Sequence, residues 1–259
     1  MEHTVKSWKT WATHSPFFFA LAFFAVSSCL DIGIIFAGQS GIAIGNAGIV
    51  DVVVQSLLAL GTLRWLGWLR AAGFNGPSGW RKLHLLWVPA LLALFYLASA
   101  FVTPVSGAGV LIFAIIAALL TGLDEEARFR GVILQSLSPS GALAAAGISS
   151  VFFGLAHLNN LLTHAPPIVV LAQVVGACLL GFGFAACRLR TGTIWPLILF
   201  HALYDLPADI TLFNASNART IGTTLATLSP LATALVLIIP GLILACYGLF
   251  LLRPLQRVD

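Results

Sequence analysis

Apolar residues come in long runs along this chain, broken only by short polar stretches. PFFFALAFFAV from Pro16, LLWVPALLALFYLASAFV from Leu85 and VLIFAIIAALL from Val110 are typical. A helix crosses the hydrocarbon core of a bilayer with about 20 predominantly apolar residues. The pattern predicts eight such spans: 16–37, 49–69, 84–102, 107–136, 142–158, 167–187, 193–212 and 229–252. SLSPSG, Ser136 to Gly141, reads as the turn between the fourth and fifth. The fourth and seventh spans are unusual in carrying charge. No internal repeat and no separate soluble unit stands out. The expected architecture is a single all-α, polytopic membrane domain over residues 1–259.

Composition sharpens this. Hydrophobic residues make up 59% of the 259 and charged residues only 8%, against about 25% charged in soluble domains. The net charge of +4 is then a topology signal and not a nucleic-acid footprint. With the N-terminus inside and eight spans, all of the 13 Lys and Arg residues except Arg219 fall on the inner side. The bias survives without Arg128 and Arg130, which sit in a span. Trp8, Trp11, Trp65, Trp68, Trp80 and Trp195 lie near the same inner ends, as interfacial anchors do. Both termini are expected on the cytoplasmic face. MEHTVKSWKTWATHS lacks a signal-peptide pattern. Cys29, Cys178, Cys187 and Cys246 have no paired spacing that implies a disulfide or CxxC metal site.

Ionisable groups inside a membrane are costly and usually face a cavity or a partner. Here they concentrate in LDEEARFRG (Asp124, Glu125, Glu126, Arg128, Arg130), VFFGLAHLNN (His157) and IWPLILFHALYD (His201, Asp205). Each has a plain structural reading: a packed histidine, a helix salt bridge between Glu126 and Arg130, an interfacial acid at Asp205. Depth favours a joint reading. Counted from Pro139 at 1.5 Å per residue, Glu125 and His157 lie about 21 and 27 Å along antiparallel helices. His201 lies about 10 Å into the seventh span. All three groups can therefore meet in the inner half of the membrane. Two histidines and a glutamate from three helices could bind a divalent metal such as zinc and leave a position for water. Alternatively the glutamate could act as general base with the histidines sharing protons. Adjacent helix residues point about 100° apart, so only one of Glu125 and Glu126 is expected to face the histidines.

EEARFR (Glu125 to Arg130) fits the pattern EExxxR, FGLAH (Phe153 to His157) fits FxxxH, and HALYD (His201 to Asp205), after TGTIWP, fits HxxxN/D. In order and spacing these resemble the CPBP family of intramembrane proteases, also called the CAAX protease and bacteriocin-processing, or Abi, family. The matching core covers about 123–205. The resemblance implies an eight-helix membrane endopeptidase with a polar cavity open to the cytoplasm. It implies that Glu125 and His157 activate water, that His201 and Asp205 bind metal or stabilise the oxyanion, and that Glu126 and Arg130 support them. The family is described as metalloprotease; the residues themselves offer Glu125, His157 and His201 as the ligand set. A metal-free glutamate mechanism is argued for its CAAX-processing members, which carry Asn where this chain has Asp205. An ionised Asp only accepts hydrogen bonds, so it suits a ligand or a group that orients His201.

Asp31 inside the first span has a packing role or lines a cavity; Asn159 and Asn160 border His157. His84 reads as interfacial. His164, the GIAIG segment and the Asn214-Ala-Ser216 triplet receive no role, and 206–228 reads as an outer loop with room for a helical part. The expected function is hydrolysis of a peptide bond in a membrane-associated or lipid-modified substrate, with the bilayer and the peptide as partners. The low Met and Lys and high Ala, Leu and Gly content point to a GC-rich bacterium and its inner membrane. Peptide maturation, bacteriocin immunity or cleavage of a membrane partner then fits better than CAAX processing. The alternatives are a non-catalytic immunity or scaffold protein and, third, a proton-coupled transporter. Oligomeric state is left open.

Overall fold

The computed structural model describes residues 12, 14–40, 47–76, 80–163, 165–214 and 230–253. The GIAIG segment, His164, Arg219, Trp8, Trp11, most of the 206–228 loop and two residues of the Asn214 triplet lie outside the described residues. Among the described residues eight helices are long and apolar enough to cross a membrane, and the chain is an all-α polytopic membrane protein. They are α1 (Pro16–Gln39), α2 (Ala47–Leu66), α3 (Trp87–Val102), α4 (Ala108–Ser136), α5 (Ala142–Ala156), α6 (Pro167–Thr191), α7 (Trp195–Asn214) and α8 (Pro230–Leu252). Single 3₁₀ turns precede α3 (Trp80–Leu86) and follow α5 (His157–Thr163).

These helices are apolar on every side, which is the signature of burial in lipid. Large side chains such as Phe95, Phe101, Leu57 and Trp87 point outward. The driving force between helices in lipid is close packing, so small residues mark the contacts. Gly176 and Gly183 of α6 meet Gly241 and Gly248 of α8, each pair seven residues apart. A Cβ on Gly183 would come within 2.6 Å of the Leu244 carbonyl, and one on Gly248 within 3.2 Å of Ala186 Cβ. The approach of α4 to α7 is as tight: a Cβ on Gly122 would lie 2.6 Å from the Ile198 carbonyl and 3.5 Å from His201 Cβ. This contact brings the charged turn of α4 against the histidine of α7.

One end of the bundle is tied by backbone bonds. Ile194 N–H donates to the Gly73 carbonyl at 3.1 Å, and the Trp195 indole donates to the Phe74 carbonyl at 3.0 Å. Arg188 of α6 donates to the Ala71 carbonyl and, at 3.4 Å, to Gln135 at the end of α4. Gly73 can lie against this turn because its φ is +85° and it has no Cβ. The ends of α2, α4 and α6 and the start of α7 thus share one face of the bundle, as an alternating eight-span topology requires.

Helix α4 changes character midway. It is α-helical to Glu126, π-helical over Ala127–Ile133 and α-helical again over Leu134–Ser136. Every residue of the π segment is buried. Its displaced backbone is met from α5, where the Ser149 hydroxyl donates to the Phe129 carbonyl at 2.8 Å.

Replacing Gly122 with alanine is expected to force α4 and α7 apart, at about 1–3 kcal/mol for overpacking. Thermal unfolding in detergent measures it, and an unchanged midpoint would contradict the close contact.

Candidate active site

The three charged stretches of the sequence converge on His201, which is buried on α7. Its Nδ1 lies 2.8 Å from Glu126 Oε1 and its Nε2 lies 3.1 Å from Glu125 Oε2. The expectation that only one of the two glutamates faces the histidine is therefore corrected. An imidazole has a nitrogen on each side of its ring, so two carboxylates that diverge around the helix can grip it from both. The two are not equivalent. Glu126 is fully buried, whereas the Glu125 side chain is 20% exposed.

Glu126 Oε1 also takes Arg130 Nη1, at 3.0 Å. The expected i,i+4 pair exists, buried at the centre of the bundle. The guanidinium lies over the Phe153 ring at 4.3 Å and within 5.5 Å of the Phe184 centroid, a desolvated cation–π arrangement. Gly181 makes room for it: a Cβ there would lie 3.2 Å from Arg130 Nη2 and 2.9 Å from Phe153. Nothing in the sequence marks Phe184, since a phenylalanine in an apolar helix carries no signal of its own.

Asp205 lies one turn beyond His201, its Oδ2 3.7 Å from Nε2 and its side chain 36% exposed. That is beyond hydrogen-bond length. The group that orients the imidazole is Glu126 through Nδ1, and Asp205 stands on the open side.

His157 is the first residue of the 3₁₀ turn that closes α5. Its Nδ1 is 3.0 Å from the Phe153 carbonyl. A carbonyl can only accept, so the proton is on Nδ1 and Nε2 is left as the basic nitrogen. Phe153 walls both histidines, edge-on, at 5.1 Å from His157 and 5.9 Å from His201. His157 is within electrostatic reach of Glu125 but is not one of the groups that touch His201.

This bears on the metal. Among the described residues no group of three or more His, Cys, Asp or Glu is arranged to hold a metal ion. Both histidines engage Nδ1, His201 with Glu126 and His157 with the Phe153 carbonyl, and keep Nε2 as the atom that would ligate a metal beside Glu125.

A second buried polar cluster adjoins the first. Arg128, from the same π segment, donates through Nη2 to Asp124 at 2.5 Å and through Nη1 to Ser27 Oγ at 3.1 Å and Asp31 at 3.3 Å. Gln55 of α2 bonds Ser27 and Asp31, and Asn159 donates to Asp31 at 3.4 Å. The sequence marks Asp31 and Asn159 without joining them. The available signal is a run of polar side chains, Ser27, Asp31, Asp51 and Gln55, inside apolar spans.

The family model for type II CAAX prenyl endopeptidases, Rce1-like, matches residues 107–207. Over that stretch the chain is similar to the CPBP, or CAAX-protease, family. The matched stretch runs from α4 to the turn of α7 after Asp205, so it contains both glutamates and the aspartate that surround His201. Comparison with curated proteins gives no match. Family and fold together support a CAAX-type intramembrane protease.

Removing Arg130 leaves Glu126 charged, buried and uncompensated. Arg130→Ala is expected to cost about 3–5 kcal/mol, and Glu126→Gln in the same chain to recover part of it. Additive losses in detergent unfolding would contradict the pairing.

Proposed function

We propose that this chain hydrolyses a peptide bond in a membrane-associated, lipid-modified peptide, with Glu125 as the base that activates water. The supporting observation is the asymmetry of the two glutamates on one imidazole. Glu126, neutralised by Arg130, holds His201; Glu125 reaches the same ring from the open side and can accept a proton. A positioned general base contributes about 10²–10⁴-fold. His157, with Nε2 free as an acceptor, shares the proton of the water. His201 presents Nε2–H to the developing oxyanion, its ring fixed by the bond from Nδ1. Asp205, which can only accept as a carboxylate, receives a substrate N–H. Glu125 then returns the proton it took from water to the leaving amine as the C–N bond breaks.

A lipid-modified substrate is supported by an open apolar groove of about 520 Å³ beside the site. Leu86, Trp87 and Ala90 line one wall, and Trp195, Leu199 and Phe200 line the other. Phe200 is the chain neighbour of His201, so the groove ends on the helix that carries the imidazole. The basic residues Arg64, Arg70, Arg81, Lys82, Arg188 and Arg190 gather at the end of the bundle tied through Gly73 and Ile194. By the positive-inside rule that end is cytoplasmic, and water and the peptide enter there.

The test is cleavage by the nanodisc-embedded protein of an internally quenched farnesylated CaaX peptide and its unfarnesylated twin. The farnesylated peptide is expected to be cut faster. Glu125→Ala and His157→Ala are expected to lower kcat by about 10²–10⁴-fold, and dialysis against a chelator to leave the rate unchanged. Equal cleavage of both peptides, or of neither by folded protein, would refute the lipid-modified substrate. An active Glu125→Ala variant would refute the base. Bound zinc lost in both His157→Ala and His201→Ala would establish a metal mechanism in its place.

A further inference from the structure

The segment that carries His157 has little to hold it. His157–Thr163 is a seven-residue 3₁₀ turn with no fully buried residue, and 3₁₀ runs beyond three or four residues are uncommon without outside support. Its polar anchors come from α6, where Asn160 Nδ2 donates to Gln173 Oε1 at 3.1 Å, and from α1. Gln39 Nε2 donates to the Leu162 carbonyl at 2.7 Å, and Asp31 Oδ2 accepts from Asn159 Nδ2 at 3.4 Å. The same Oδ2 atom accepts from Arg128 Nη1 at 3.3 Å. Arg128 is three residues beyond Glu125 and is paired to Asp124, the residue before it. The other oxygen of Asp31 is held by Gln55 of α2.

One carboxylate oxygen on α1 thus receives a donor from the helix of Glu125 and a donor from the segment of His157. We propose that Asp31 is a positioning residue: it sets the placement of His157 relative to Glu125, through Asn159 on one side and Arg128 on the other. The glutamate needs no such help, since the contact at Gly122 already presses α4 onto α7. The histidine sits where α5 gives way to the turn; the Phe153 carbonyl orients its ring, and the anchors of the turn set how far that end of α5 lies from Glu125. As a catalytic statement this rests on the proposed function above; as a statement of placement it stands apart from it.

Asn159→Leu is the main variant, because Asn159 is only half-buried and its amide can be removed without disturbing the core. Asp31→Asn is the second; it keeps the shape and loses the charge opposite Arg128. The first readout is ¹⁵N-histidine NMR of the nanodisc-embedded protein, with signals assigned by His157→Gln and His201→Gln. The His157 signal is expected to move in both variants while that of His201, held by Glu126, stays. The second readout is kinetics on the farnesylated peptide. Asn159→Leu is expected to lower kcat by about ten- to a hundred-fold, as a misplaced group does, with KM and melting temperature unchanged. An unmoved His157 signal in both variants overturns the proposal whatever the activity. So does a lowered melting temperature with kcat per folded molecule intact, which would make Asp31 a fold element only. Wild-type protein that cleaves neither peptide would refute the proposed function, and the NMR would still decide the placement.

Discussion

A single oxygen atom, Oε1 of Glu126, lies at the root of this arrangement. It pairs ionically with Arg130 on its own helix and accepts from His201 on another, on a side chain with no exposed surface. An ion in such a place is tolerated only if paired and hydrogen-bonded. The pairing therefore constrains everything around it. Arg130 must lie flat between Phe153 and Phe184, α6 must carry Gly181 to admit it, and α4 must approach α7 closely enough to need Gly122. The imidazole is left with Nδ1 on the buried Glu126 and Nε2 on the partly exposed Glu125.

Both groups proposed to activate water sit where a helix stops being regular. Glu125 and Glu126 close the α-helical part of α4 just before its π segment, and His157 closes α5 at a 3₁₀ turn. Such interruptions are frequent at functional sites because they re-aim side chains that a uniform helix would send elsewhere. In lipid each freed backbone group must find a partner. Ser149 supplies one for Phe129, and Gln39 supplies one for Leu162.

The spans were readable because lipid asks for one thing, about twenty apolar residues, and length and composition report it directly. The predicted 16–37 and 142–158 differ from the observed Pro16–Gln39 and Ala142–Thr163 only at helix ends. The site motifs were readable for a related reason. Each is a pair one helical turn apart: Glu126 with Arg130 at 3.0 Å, Phe153 with His157 at 3.0 Å, His201 with Asp205 at 3.7 Å. The links that join the pairs to each other were not readable. An ideal step of about 100° forces a choice between Glu125 and Glu126, and it is the position of the ring between them that removes the choice. The arrangement of the expected ligands was hidden for want of the same information, since hydrogen-bond direction at His157 is set by a backbone carbonyl. Asp31 meets Arg128 and Asn159 across 97 and 128 positions of sequence, and no local pattern spans such an interval.

Phe153 serves three neighbours at once. Its carbonyl fixes the tautomer of His157, its face carries the charge of Arg130, and its edge meets His201. The negative face of the ring receives the guanidinium at 4.3 Å, while both imidazoles pack against the same ring in T-shaped contacts. A side chain of equal volume without that quadrupole would fill the gap and leave the Arg130 charge less well held. The phenylalanine of FxxxH is thus specified by its charge distribution as much as by its size.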